Sequence, residues 1–112
     1  MGDQVLAALG KLLRGECRQG DLPARYGGEE IAMLLPETEL PAAVKIAERL
    51  RERIASNADG AFPVHVTASF GAAQWSPGDS PVGLFAQADR ALYQAKEMGR
   101  NRVAAAPAGD RM

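Results

Sequence analysis

At 112 residues the chain is long enough for one small domain and too short for two. Apolar residues make up 46% and charged residues 24%, the balance of a soluble globular protein. A net charge of −1 gives no basic field to draw the chain to nucleic acid or an anionic membrane, so no nucleic-acid partner is expected.

The opening Met1-Gly2-Asp3-Gln4 has neither the basic region nor the apolar core of a secretory signal. The single cysteine, Cys17, cannot form an internal disulfide, and no uninterrupted apolar run is long enough to span a bilayer. These features predict a cytoplasmic protein. Val5, Leu6, Leu9, Leu12 and Leu13 then recur at helical spacing, with Asp3 as a candidate N-cap. Gly15 and Gly20 bracket the exit from this helix.

A strand is predicted over 22–26, a tight turn at Gly27-Gly28, and a returning strand over 29–35 that Pro36 stops. Adjacent glycines can take positive φ and let a bulky ligand approach bare backbone. Glu29 and Glu30 follow at the lip of that opening. A glycine-floored gap edged with carboxylates suits a nucleoside triphosphate carrying magnesium.

A second helix is predicted over 39–56, with Pro41 in its first turn. Its buried stripe is Val44, Ala47, Leu50 and Ile54, and Arg49, Arg51 and Arg53 form a charged outer face. After a loop at 57–60, alternation predicts a strand over 64–75 with Val64, Val66, Ala68 and Phe70 on one face. Gly71 interrupts it and marks a bulge or a close backbone approach. Asp79 and Ser80 both qualify as the cap of a third helix, which carries Phe85, Ala88, Leu92 and Ala95 and ends at Gly99. A last short strand is predicted over 103–105, and 107–112 reads as a disordered tail. The order helix, hairpin, helix, strand, helix, strand predicts an α+β domain over 1–106, its mostly antiparallel sheet covered by one-sided helices.

Arg25-Tyr26-Gly27-Gly28-Glu29-Glu30-Ile31 resembles the signature of the GGDEF family, the diguanylate cyclases. Four further pieces in matching order strengthen the resemblance: Gly2-Asp3 with Val5-Leu6, Arg18-Gln19-Gly20-Asp21, Thr67-Ala68-Ser69-Phe70-Gly71, and Ala91-Leu92-Tyr93-Gln94-Ala95-Lys96 with Gly99-Arg100-Asn101. The resemblance implies a nucleotide-cyclase, palm-like sheet. It also implies condensation of two GTP molecules, held by two facing domains of a homodimer, into cyclic di-GMP with release of pyrophosphate. On this basis Glu29 is a metal ligand and base and Glu30 the second signature acid, with Mg2+ or Mn2+ as the cofactor. Asp3 would bind guanine, Gly27 and Gly28 would floor the substrate gap, and Lys96 and Arg100, four residues apart, would grip the polyphosphate from one helix face. Arg18 and Asp21 match the family's RxxD inhibitory product site, and Arg49 falls where some members add another arginine.

Two departures from the family pattern stand out. Ile31 replaces a phenylalanine and keeps an apolar plug at the turn. The family's first strand, with its metal-binding aspartate and a following asparagine, has no counterpart before Asp3. The expectation is therefore a partial GGDEF domain, N-terminally truncated, that is unstable or self-associating and inactive by itself. Its parent protein would carry a sensor domain. The alternative is a degenerate module that binds cyclic di-GMP through Arg18 and Asp21 without turnover, and a third option is a gene fragment with neither property.

Each residue also has a plainer reading. Glu29 and Glu30 read locally as solvated acids after a hairpin turn, and Lys96 and Arg100 as surface cations favoured by a helix C-terminus. Arg18 and Asp21 read as a surface ion pair and Arg49 as a solvated helix charge. His65 and Cys17 lack partners at ligand or catalytic spacing and are structural, and Trp75 and Phe70 are packing residues.

Overall fold

The computed structural model describes residues 3–16, 22–25, 31–35, 38–58 and 60–106. Three helices dominate them: α1 (Asp3–Glu16), α2 (Leu40–Ser56) and α3 (Pro81–Glu97), of 14, 17 and 17 residues. The four strands, β1 (Leu22–Arg25), β2 (Ile31–Leu34), β3 (Phe70–Ala72) and β4 (Val103–Ala105), have only three or four residues each. Among the described residues no helix is long and apolar enough to cross a membrane.

The strands form two separate pairs. β1 and β2 are antiparallel, from Leu22 opposite Leu34 to Arg25 opposite Ile31. β3 and β4 are parallel, with Phe70, Gly71 and Ala72 opposite Val103, Ala104 and Ala105. Parallel neighbours need a crossover connection, and α3 supplies it. The expected sheet-dominated, mostly antiparallel palm is therefore overturned: the described fold is mostly helical, and the sheet against which α3 packs is a small parallel pair. The hairpin was a sound guide to its own two strands and not to the pairing of the others.

The predicted strand over 64–75 contracts to Phe70–Ala72. Alternation marks which side chains share a face, but a strand also needs a partner for its N–H and C=O groups. β4 offers three residues of ladder, extended by bonds from Phe70 N–H to Arg102 O (2.9 Å) and from Ala106 N–H to Ala72 O (2.8 Å). Val66, Ala68 and Phe70 do pack on the core, whereas Val64 is exposed.

The core centres on Val5, Ile54 and Phe62, with Ala8, Leu9, Leu12, Val66, Ala68 and Phe70 around them. Of the three helical stripes read from spacing, α2 buries Ala47, Leu50 and Ile54, α1 buries Val5 and Leu13, and α3 buries only Ala95 of Phe85, Ala88, Leu92 and Ala95. In α3, Gln87, Ala91 and Ala95 are buried. Small residues at 91 and 95 bring α3 close to the strands, and Gly71 completes the contact. A Cβ there would collide with Ala88 O and Leu92 N, so Gly71 marks a close backbone approach. Trp75 is half exposed and is not a core residue.

One helix start is capped locally and another from a distance. Ser80 caps α3, its Oγ accepting from Gly83 N–H at 3.0 Å, while Asp79 instead accepts from Ser76 N–H. Glu39 at the start of α2 makes no side-chain cap bond; the Leu40 N–H donates to Gln74 Oε1 at 2.8 Å, a cap supplied from the end of the β3 segment.

Candidate functional site

Of the predicted site residues, Lys96, Arg100 and Arg49 are fully described. Lys96 lies in the last turn of α3 and is exposed. Arg100 lies beyond the helix, which ends at Glu97, so the two cations do not share a helix face as their spacing implied. What joins them is the helix terminus. Gly99 N–H donates to Lys96 O at 3.3 Å and Arg100 N–H to Ala95 O at 3.0 Å, the paired bonds of a Schellman motif.

This turn has positive φ at three successive residues: 117° at Gly99, 62° at Arg100 and 49° at Asn101. Glycine accepts such a conformation without cost and asparagine tolerates it, but arginine rarely adopts it. The surrounding structure must hold it. Asn101 N–H donates to Ser69 Oγ at 3.0 Å, and Arg51 Nη1–H donates to Asn101 Oδ1 at 3.1 Å. Arg51 is itself fixed by Glu48, whose Oε1 accepts from Arg51 Nε at 2.9 Å. The Arg100 side chain is exposed at the tip of this braced turn. Together with Lys96 it offers two cations where an anion can reach them.

Arg51 was expected on the charged outer face of α2 with Arg49 and Arg53. Its side chain is only 20% exposed and turns inward to the 99–101 segment. Residues two apart on a helix point roughly 200° away from each other, so three arginines at that spacing cannot share a face. From the sequence, Ser69 and Asn101 count only as parts of family-like motifs and Arg51 only as a solvated charge; none is expected to hold this turn. The available signal was an asparagine after Gly99-Arg100, a residue type suited to left-handed backbone.

Arg49 is exposed, and its Nε lies 3.4 Å from Glu16 Oε1, which also accepts from Arg53 Nη1 at 3.2 Å. One mostly covered carboxylate thus ties the end of α1 to two arginines of α2. Arg18 and Asp21, the rest of the predicted product site, lie outside the described residues, as does Cys17. So do Gly27, Gly28, Glu29 and Glu30, although the strands flanking them are described and antiparallel. Asp3 is the first residue of α1 and not a residue before it; its side chain is outside the description. His65 is exposed. Among the described residues no group of three His, Cys, Asp or Glu is placed to hold a metal ion.

A sequence profile described as "Diguanylate cyclase, GGDEF domain" matches residues 1–102. The chain is 45% identical over 105 residues to the diguanylate cyclase DgcM of Escherichia coli, a match covering 94% of this chain and 25% of that protein. It is 42% identical over 108 residues to the response regulator PleD of Caulobacter vibrioides, covering 92% and 24%. The chain thus spans about a quarter of these curated relatives. Among solved structures, the GGDEF domain of DgcB from Caulobacter crescentus in complex with c-di-GMP superposes with a TM-score of 0.84 at 33% identity, covering 93% of this chain and 64% of that one. The active GGEEF domain of a Vibrio cholerae diguanylate cyclase gives 0.83 at 30%, covering 94% and 68%.

Proposed function

The chain belongs to the GGDEF family of diguanylate cyclase domains, and from that premise we propose that the protein carrying this domain binds GTP through it and, as a homodimer, condenses two GTP molecules into cyclic di-GMP. The observation that carries this reading is the family match over residues 1–102, which includes the glycine-acid signature and the Lys96–Arg100 terminus together.

In each of two equivalent steps the 3′-hydroxyl of one GTP attacks the α-phosphorus of the other. A phosphodiester bond forms, the bond from the α-phosphorus to the bridging oxygen breaks, and pyrophosphate leaves. Glu29 takes the hydroxyl proton. Asp3 accepts hydrogen bonds from the guanine edge, and Gly27 and Gly28 let the phosphates approach the backbone. Lys96 and Arg100 bind the triphosphate tail and neutralise charge that grows on the leaving group. Adjacent carboxylates at 29 and 30 are the hard oxygen donors that Mg2+ or Mn2+ takes, and the bound metal would screen the polyphosphate and lower the pKa of the attacking hydroxyl. Arg18, Asp21 and Arg49 form an inhibitory site for the product, each arginine fork reading a phosphate or a guanine edge.

Mass spectrometry of the nucleotide formed from magnesium GTP tests the reading. Cyclic di-GMP that disappears with Glu29→Ala supports it. Binding of cyclic di-GMP without turnover, lost in Arg18→Ala, would replace it with a receptor role, and the absence of both would end it.

A further inference from the structure

We propose that Arg51 and Ser69 are positioning residues for the triphosphate grip, acting through the backbone of the turn that carries Arg100. The inference rests on the proposed role of Arg100 and goes beyond it. Arg100 holds a φ of 62°, a conformation that arginine keeps only when neighbours over-determine it, and its successor Asn101 holds one of 49°. The Schellman bonds fix the α3 side of the turn, and the Phe70 N–H bond to Arg102 O fixes the β4 side. Between them, Asn101 is held from two other parts of the fold: its N–H by Ser69 Oγ and its Oδ1 by Arg51 Nη1.

Arg51 suits this task because its guanidinium makes two directed bonds at once, to Glu48 and to Asn101. Lysine keeps the charge but cannot make that pair with the same geometry. With the brace cut, Arg100 is free to relax toward ordinary backbone and its side chain is no longer held in one place. Neither Arg51 nor Ser69 needs to touch the nucleotide.

The test is a set of binding isotherms on the whole chain with GTP, guanosine and inorganic tripolyphosphate. Arg100→Ala is expected to weaken GTP and tripolyphosphate about tenfold, the scale of one charge-assisted contact, and to leave guanosine unchanged. Arg51→Lys and Ser69→Ala are each expected to weaken the same two ligands about threefold to fivefold, again sparing guanosine. In an Arg100→Ala background both should have no further effect, since they act only through Arg100. Effects that add fully to Arg100→Ala, or that extend equally to guanosine, would reduce Arg51 and Ser69 to general structural residues and overturn the inference. If Arg100→Ala itself leaves both phosphate ligands unaffected, or the unmodified chain binds neither, the role of Arg100 fails first and the inference with it.

Discussion

Gly71 lies so close to Leu92 that a Cβ on the glycine would stand 2.8 Å from the Leu92 Cα, and closer still to its nitrogen. The strand and the α3 backbone meet with no side chain between them. Neither backbone has a flexible end that can give way. Gly71→Ala should therefore force β3 and α3 apart and cost about 3 kcal/mol or more, at the upper end of overpacking penalties. Urea denaturation followed by circular dichroism measures it, and a loss below about 1 kcal/mol would mean the approach is looser than the structure has it.

Asn57 closes the loop that delivers Phe62 to the core. Its Oδ1 accepts from Phe62 N–H at 3.0 Å and its Nδ2 donates to Phe62 O at 2.9 Å, while its own backbone is left-handed at a φ of 48°. Phe62 is buried against Val5 and Ile54. Asn57→Ala removes both bonds and strains the backbone, an expected loss of about 2–3 kcal/mol. Asn57→Gly removes only the bonds and should cost about half as much. Equal costs for the two would remove backbone strain from this account.

Gln74 caps α2 from a distance, since its Oε1 is the acceptor for the Leu40 N–H. Gln74→Ala leaves that N–H without its acceptor and should lower stability by about 1 kcal/mol, the usual value of a helix cap. Gln74→Glu keeps an acceptor and adds negative charge at a helix N-terminus, so it should recover the loss at neutral pH. Thermal melts of the three proteins decide the matter; a glutamate variant no better than the alanine one would argue against the cap.

Arg49 allows folding to be tested apart from the proposed product site. Its contact with Glu16 is made by a side chain that is 57% exposed, and such pairs contribute little. Arg49→Ala should shift the melting temperature by no more than a degree or two. If Arg49 belongs to the product site with Arg18 and Asp21, the same change should weaken inhibition by cyclic di-GMP about tenfold. Unchanged inhibition in both Arg49→Ala and Arg18→Ala would remove the inhibitory site from the proposal.

Much of this was legible in the chain itself. Helical periodicity located α2 nearly to the residue, because one-sided burial writes itself into spacing at 47, 50 and 54, whereas in α3 the stripe expected at 85, 88, 92 and 95 shares only Ala95 with the buried residues. Gly99 announced the end of α3, and the positive φ observed there is the reason. The strand over 64–75 was read too long because alternation carries no information about the partner. Arg51 was misread because charge suggests solvent, and only the position of Asn101, fifty residues away, shows where that charge goes.

By itself, then, the sequence determined the family, the helices and the glycine that ends α3, all properties that a residue shares with neighbours within a few turns. The tertiary structure alone decided that β3 pairs parallel with β4, that α3 rests on bare Gly71, and that Arg51 and Ser69 brace the turn of Arg100. Pairing partners, backbone approach and long-range hydrogen bonds join residues distant along the chain. No periodicity encodes them, and they exist only once the helices have packed.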